Sequence, residues 1–209
     1  MTALEKLYER ERERLLNEPP TGRHTGETAR PVFGVGPVNA ELMLIGEAPG
    51  ANETEQGRPF VGKAGAQLEE LLALAGIPRE RVFVTNAVKY RPTSVKPKSV
   101  SNRTPARAEI DSSIPLVRAE IAIVMPRNIA TLGNTPLYSV LSAAGRKTAT
   151  VGELHGRGMD ICIDNVNCVL FPLYHPASGI YRRELVEVMR MDILKLKEAA
   201  QEVRRGDEL

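Results

Sequence analysis

The feature that most constrains the fold is a short apolar run that ends abruptly in a turn rich in glycine and proline. The run, Leu42-Met43-Leu44-Ile45, has the length and composition of a buried parallel strand. Gly46 ends it, and Glu47-Ala48-Pro49-Gly50 follows directly as a tight turn. Open α/β sheets bind ligands beyond the carboxyl ends of their strands. The turn is therefore a predicted binding site.

Strands and helices are predicted to alternate along the rest of the chain. Strands are expected at 42–46, 81–86, 128–134, 159–163 and 168–173, and helices at 2–17, 64–75, 104–125, 136–144 and 184–204. Gly76 would cap the second helix, Thr104-Pro105 would start the third, and 164–167 would form a hairpin turn. This order predicts a three-layer α/β/α fold with a mainly parallel central sheet, built as a single domain over 1–209, with 1–31 as an N-terminal helix and an irregular segment.

Composition allows a polyanionic partner without requiring one. The net charge is +2 and the pI about 8.6. No apolar run is long enough to span a bilayer and the charged N-terminus is not a signal peptide, so we expect no membrane partner and a cytoplasmic location. Cys162 and Cys168 are too few for a disulfide framework or a four-cysteine cluster. Both are predicted to be small hydrophobic residues on the two strands of a hairpin.

Three polar residues fall at predicted strand ends, namely Glu47, Asn86 and His175. Since parallel strands end at one edge of the sheet, these side chains are expected to converge. Glu53 and the aromatic Phe60 follow the first turn closely. Each has an ordinary alternative: surface acids, a turn-forming asparagine, a structural histidine and a core aromatic.

Residues 89–104 form a polar loop rich in proline and serine. Its basic side chains are Lys89, Arg91, Lys96, Lys98 and Arg103. They are candidates for neutralising phosphates, and the alternative is a solvated loop.

Together these segments resemble the uracil-DNA glycosylase superfamily, and most of all its family 4 branch, over about residues 32–200. The resemblance rests on the following motifs: GEAPG at 46–50, QGRPFVGKAG at 56–65, Thr85-Asn86 and HPAS at 175–178. It implies base flipping and hydrolysis of the N-glycosidic bond of uracil in DNA, which leaves an abasic site.

The resemblance also implies roles for individual residues. Phe60 would stack on uracil, Asn86 would hydrogen-bond its edge, and His175 would stabilise the charge that develops on O2. Glu53 would position the attacking water, while Glu47 would shape the turn and assist. Ala48 stands where the best-known family has an aspartate, and it belongs with Gly50 to the substrate-binding turn.

Further contacts would hold the DNA. The backbone N–H groups of the turn at 47–50 and the Ser178 hydroxyl are candidate phosphate contacts. Ile180, Tyr181 and Arg182 would wedge into the gap left by the flipped base. The implied partner is DNA containing uracil, and the implied enzyme is a monomer associated with the nucleoid.

The sequence departs from the family at the metal. Family 4 enzymes bind a four-iron, four-sulfur cluster through four cysteines, but Tyr90 stands at the third ligand position and Ser112 near the fourth. We therefore predict no cluster and no other cofactor, with Tyr90 and Pro19-Pro20 replacing its structural role by packing. Asn102 stands where a uracil-trapping subgroup has a covalently linking histidine, which predicts turnover without a trapped adduct.

Two other classes of function stay open at this point. One is a non-catalytic deoxyuridine- or DNA-binding relative, or a glycosylase for another deaminated base such as hypoxanthine. The other is a small-molecule hydrolase that uses the same sheet edge and shows no salt-dependent DNA binding.

Overall fold

The computed structural model describes residues 1–17, 30–96 and 99–206 and contains a five-stranded sheet and a separate two-stranded hairpin. The strands are β1 Leu42–Gly46, β2 Val82–Asn86, β3 Thr93–Lys96, β4 Ser99–Asn102, β5 Asn128–Leu132, β6 Met159–Ile163 and β7 Val166–Leu173. The helices are α1 Ala3–Asn17, α2 Ala51–Gln56, α3 Lys63–Ala75, α4 Arg107–Val124, α5 Asn134–Ala143, α6 Val151–Leu154, α7 Ser178–Tyr181 and α8 Glu184–Gly206.

Alternating strand residues feed two hydrophobic cores, one on each face of the sheet. Met43 and Ile45 face the core that includes residues of α1, α4 and α5. Leu42 and Leu44 face the core that includes residues of α3 and α8. The predicted three-layer α/β/α fold with a mainly parallel sheet is confirmed.

The order of the sheet creates a crevice beside its first strand. The strand order is β2-β1-β5-β7-β6; β1, β2, β5 and β7 run parallel, and only β6 pairs antiparallel with its neighbour. The chain passes from β1 to β2 on one side and then returns to β5 on the other. The carboxyl ends of β1 and β5 therefore flank a topological switch point, which is where open α/β sheets bind ligands.

Several predicted boundaries are wrong. The hairpin turn is the two-residue pair Asp164-Asn165, both with positive φ, so β7 begins at Val166 and not at 168. The third predicted helix begins at Arg107, because Glu109 accepts the N–H of Ala106 at 2.7 Å and fixes the cap there. The predicted cap glycine Gly76 is confirmed, with φ 64°.

The predicted loop at 89–104 contains structure that the sequence analysis missed. Residues 93–96 and 99–102 form the antiparallel strand pair β3–β4, which we call the hairpin arm. The short helices α2, α6 and α7 were missed as well.

The two cysteines lie on the β6–β7 hairpin. Cys168 is buried as predicted, and burial raises the pKa of its thiol to about 11. Cys162 lies on the strand β6, as predicted, but it is exposed on the outward face of this edge strand and does not pack as a buried hydrophobic residue. Among the described residues, no helix is both long enough and apolar enough to cross a membrane.

Candidate active site

A cavity of about 430 Å³ opens at the carboxyl edge of the sheet. Its walls come from the ends of several strands, from α2, from the segment leading into α3 and from the hairpin arm. The lining residues that matter below are Glu47, Ala48, Gly50, Glu53, Phe60, Asn86, Asn102, Arg103 and His175. The predicted convergence of Glu47, Asn86 and His175 is therefore present, together with Glu53 and Phe60.

The Phe60 ring and the Asn86 amide approach each other over Gly46. A Cβ atom at Gly46 would lie 2.4 Å from Phe60 Cζ and 2.5 Å from Asn86 Oδ1, well inside van der Waals contact. The glycine that ends β1 thus makes room for a ring and an amide at one point of the cavity wall. A flat ring beside a donor–acceptor pair suits a planar heterocycle.

The backbone around Phe60 is held in an unusual conformation. Phe60 has φ 56°, in the left-handed region that non-glycine residues rarely adopt. Its carbonyl oxygen packs so closely on α3 that a Cβ at Gly65 would lie 1.9 Å away. Strained backbone of this kind persists only where the surroundings enforce it, and it clusters at functional sites.

Glu53 joins the two loops that form the cavity wall. Its Oε2 accepts the N–H of Gly50 at 3.1 Å, and its Oε1 accepts the N–H of Gly62 at 2.8 Å. Side chains at either glycine would collide with this carboxylate, since Cβ atoms there would lie 2.7 and 2.9 Å from its oxygens. An ionised carboxylate has about four acceptor sites, so Glu53 retains capacity for a water molecule.

Glu47 bridges the switch point. Thr135, in the first turn of α5, donates its hydroxyl to Glu47 Oε2 at 2.8 Å and so ties the end of β1 to the helix after β5. Burial raises the pKa of Glu47 above its ordinary value, and the hydrogen bond from Thr135 opposes this only in part. The sequence analysis missed Thr135. The sequence feature that could have identified it is its position as a polar residue directly after a predicted strand.

His175 follows β7, and only one of its ring nitrogens is engaged by the backbone. Its Nδ1 lies 3.2 Å from the N–H of Ala177 and accepts from it, which leaves Nε2 as the protonated donor of a neutral ring. Burial lowers the pKa of His175, which favours that neutral form. The ring is therefore ready to donate a hydrogen bond without carrying a charge.

The structure contradicts the predicted DNA contact of Lys89. Its side chain is 2% exposed and pairs with Glu120 at 2.7 Å inside the protein. It cannot reach a phosphate. Lysine is almost never fully buried unless it is paired, and no residue close to Lys89 in the sequence indicates its partner.

The other basic residues of this segment differ from one another. Arg91 is partly exposed and donates Nε to Asn102 Oδ1 at 2.6 Å, which holds the Asn102 amide at the cavity. Arg103 lines the cavity, but its guanidinium pairs with Glu109 at 2.6 Å. The backbone of Lys96 ends β3, its side chain is not described, and Lys98 lies outside the described residues.

The segment after His175 forms the short helix α7. Ser178 begins this helix and donates its N–H to the His175 carbonyl at 2.8 Å, so it lies close to the site. Arg182 is exposed and pairs with Glu184 at 3.0 Å. Ile180 and Tyr181 belong to the helix and its end, but their side chains are not described.

The residues present do not fit a four-cysteine cluster. Tyr90 is 2% exposed and packs with Val88 and Ile110, and Ala48 of the turn lies against this group. The Ser112 hydroxyl donates to the carbonyl of Glu109 at 3.0 Å. The chain has only two cysteines, both on the β6–β7 hairpin. Pro19-Pro20 lies outside the described residues.

Comparisons with known proteins agree with this geometry. The model of the Uracil DNA glycosylase superfamily matches residues 33–198. A type-4 uracil-DNA glycosylase of Sulfurisphaera tokodaii is 36% identical over 81% of this chain and 74% of its own length. One of Pyrobaculum aerophilum is 37% identical over 78% of this chain and 79% of its own. A type-5 enzyme of the same organism is 32% identical over 71% and 66%.

The matched region begins in the segment before β1 and ends in α8, so it contains every strand end that lines the cavity. Because the superfamily model covers most of the chain and the two type-4 relatives named above are 36% and 37% identical to it, the chain belongs to the uracil-DNA glycosylase superfamily.

Proposed function

We infer that this protein is a DNA-repair enzyme, a monofunctional uracil-DNA glycosylase. It hydrolyses the N-glycosidic bond of a deoxyuridine flipped out of DNA and leaves an abasic site. The observation that carries this inference is the single cavity in which a ring, an amide, a neutral histidine and two carboxylates meet. Relatives of similar length that are named type-4 uracil-DNA glycosylases support it.

Uracil enters the cavity with its face on Phe60 and its edge on Asn86. The amide donates to uracil O4 and accepts from N3–H, a pattern that cytosine does not offer. Ala48 and Gly50 form the wall of the turn beside the base and the sugar. Flipping a base out of DNA costs free energy for unstacking and unpairing. This cost is smallest for a damaged or mismatched base, which adds to the selectivity for uracil.

His175 acts on the leaving group. As the glycosidic bond lengthens, negative charge develops on uracil O2, and the Nε2–H of His175 donates to it. A fixed donor aimed at developing charge in a site that excludes water is worth about 3–4 kcal/mol of barrier. Because Nδ1 accepts from the N–H of Ala177, the neutral ring keeps its proton on Nε2, where it can donate to O2.

Glu53 positions the water that attacks the sugar. Its two backbone hydrogen bonds fix the carboxylate in one orientation, and its negative charge also stabilises the oxocarbenium-like sugar. Glu47, held by Thr135, maintains the turn and assists electrostatically.

DNA binding is proposed to use basic and polar groups of the turn at 47–50, of the segment 89–104 and of the segment after His175. Arg91, Lys96, Lys98 and Arg182 would supply positive charge, with Ser178 and the N–H groups of the 47–50 turn as neutral phosphate contacts. Tyr181 would wedge into the gap that the flipped base leaves in the DNA duplex. Arg103 stays in this set only as a support for the arm, because Glu109 already neutralises it.

We further propose that the enzyme works as a monomer, as one domain, in the cytoplasm at the nucleoid and without an iron–sulfur cluster. The chemistry of Tyr90 supports the last point, since this residue stands at a ligand position and packs among apolar residues that connect the exit of β2 to α4 and to Ala48. Metal and sulfide analysis of the purified protein tests it.

The deciding experiment incubates the protein with single- and double-stranded oligonucleotides that contain uracil, hypoxanthine or neither base, followed by alkaline cleavage. We expect alkali-labile product from uracil, about 10²–10³-fold slower formation by Asn86→Ala and His175→Ala, and no adduct that survives denaturation. Tight, salt-sensitive binding without product would indicate a binding protein instead. Product from hypoxanthine alone would indicate another base, and neither product nor binding would overturn the inference.

A further inference from the structure

A buried polar network lies directly behind the predicted uracil-reading residue. Lys89 Nζ donates to Thr85 Oγ1 at 2.6 Å, to the carbonyl of Asn86 at 2.5 Å and to Glu120 Oε2 at 2.7 Å. Glu120, completely buried, also accepts from the Tyr8 hydroxyl at 2.8 Å and from Thr85 at 3.1 Å. Every Lys89 ammonium proton therefore has an acceptor.

Stability alone is a poor explanation for this network. Burial lowers the pKa of Lys89, and the Glu120 carboxylate opposes that shift, so the ammonium lies in a place that disfavours its charge. Buried ion pairs are often no more stabilising than well-packed apolar residues of the same volume. Their best-attested use is to fix one arrangement among several.

The arrangement fixed here is the peptide of Asn86. Lys89 holds its carbonyl from the interior, while the following N–H groups of Ala87 and Val88 donate to the carbonyls of Gly46 and Glu47 at 2.8 and 3.0 Å. The direction in which the Asn86 side chain leaves the backbone is thereby set. On the opposite side, the missing Cβ of Gly46 leaves room for the amide oxygen.

Three distant segments contribute to this support. Tyr8 comes from α1, Glu120 from α4 and Lys89 from the exit of β2. Tyr8 is itself fixed by stacking on Phe33, with ring centroids 4.4 Å apart. The N-terminal helix is therefore connected to the cavity through two charged side chains.

We propose that Lys89, Glu120 and Tyr8 are positioning residues that orient Asn86 toward the base, and that α1 thereby takes part in uracil recognition. This proposal rests on the role of Asn86 given above. It goes beyond that role, because it makes recognition of the base depend on residues that lie outside the cavity and do not touch the base.

The test compares two oligonucleotides with the same backbone. One carries 2′-fluoro-deoxyuridine, which keeps the base and resists hydrolysis, and the other carries an abasic-site analogue. Lys89→Met is expected to lower affinity for the 2′-fluoro-deoxyuridine oligonucleotide by about 10–100-fold, because a small misplacement of the Asn86 amide weakens its contact with the base. Affinity for the abasic-site analogue should change less than about two-fold. A parallel loss on both oligonucleotides would assign Lys89 to the fold and overturn the proposal.

Two further variants keep the outcome clear if Lys89→Met folds poorly. Tyr8→Phe removes only one hydroxyl and retains the ring on Phe33, so we expect a smaller loss in the same base-dependent direction. Lys89→Met combined with Glu120→Leu removes both charges; the thermal midpoint should recover while base-dependent affinity should not. Recovery of both would show a purely structural pair and contradict the proposal.

Asn86→Ala separates this inference from the proposed site. If Asn86→Ala loses base-dependent affinity but none of the network variants does, the positioning proposal fails and the site stands. If Asn86→Ala itself binds both oligonucleotides as the wild type does, the assignment of Asn86 fails and the network has nothing to position.

Discussion

Two regions border the same cavity, and they are built in opposite ways. The catalytic wall, residues 46–65, is held by glycines that permit close approach and by the two backbone hydrogen bonds of Glu53. The hairpin arm, residues 93–96 and 99–102, is held by its own hydrogen-bond ladder and by Arg91 and Arg103, and all four residues of its second strand are exposed. The close packing of the wall holds its side chains in fixed positions, as chemistry requires. The exposed residues of the arm are instead suited to a polar contact surface.

The largest expected effect comes from crowding the wall. Gly65→Ala places a Cβ 1.9 Å from the Phe60 carbonyl oxygen, so the loop that carries the stacking ring must move. We expect uracil excision to fall by about 10²-fold or more, measured as single-turnover product formation. Gly152→Ala is the matched control, because this helical glycine has no atom closer than 3.7 Å to the new Cβ. Equal activity of both variants would contradict the claim that the wall is closely fitted.

A second prediction distinguishes the two acids within the wall. Glu53→Gln replaces an acceptor oxygen by an N–H2 group that faces a backbone N–H, and it removes the charge beside the sugar. We expect about a 10²-fold loss in kcat for Glu53→Gln and about a ten-fold loss for Glu47→Gln, whose amide oxygen can still accept from Thr135. The reverse order in single-turnover rates would transfer the water-positioning role to Glu47.

Substitutions in the hairpin arm should have smaller effects, and these should appear in KM rather than in kcat. Asn102→Ala removes a polar contact at the mouth of the cavity, and Arg91→Ala removes the group that orients it. We expect either variant to raise KM by about three- to ten-fold with little change in kcat, and the double variant to do no more than the single ones. Arg91→Ala should also flatten the dependence of binding on salt by about one phosphate contact. A loss in kcat as large as that of Glu53→Gln would make the arm part of the chemistry.

The smallest effect concerns stability. The pKa of Glu47 is raised by burial, so the folded protein holds a proton that the unfolded chain releases at the ordinary value of 4.5. Between the two pKa values stability falls as pH rises, and the cost is complete above the folded value. Glu47→Gln should therefore melt a few degrees higher, about 2–4 °C, at pH 7, with the difference vanishing below about pH 4.5.

Asn102→Ala provides the comparison for this measurement, since it changes no buried charge. Its melting temperature should equal that of the wild type at both pH values. A pH-independent gain for Glu47→Gln would attribute the effect to packing and not to ionisation.

The sequence predicted the parts of the site that depend on local patterns. The apolar run before Gly46, the polar residues Asn86 and His175 after later strands, and Gly76 as a cap each carry their signal within a few residues. The convergence of the strand ends followed from the parallel sheet alone. These elements are where sequence and structure agree.

Other features depend on contacts that are distant in sequence. The sequence analysis assigned Lys89 to phosphate binding because its partner, Glu120, lies 31 residues away on α4. The hairpin arm was missed because its polar, exposed residues show no apolar alternation. The contact of Thr135 with Glu47 and the position of Asn102 at the cavity follow only once the strand order and the arm are known.

The left-handed backbone of Phe60 has a consequence for the time course of recognition. Placing a large aromatic residue at φ 56° costs on the order of 1–3 kcal/mol, and packing against α3 compensates for it when the protein folds. The ring proposed to stack on uracil is thus in place before any DNA binds, and this loop does not have to become ordered again at each encounter. An enzyme that must sample very many normal bases for each uracil gains from a pocket that rejects them by shape at once, without first closing around them.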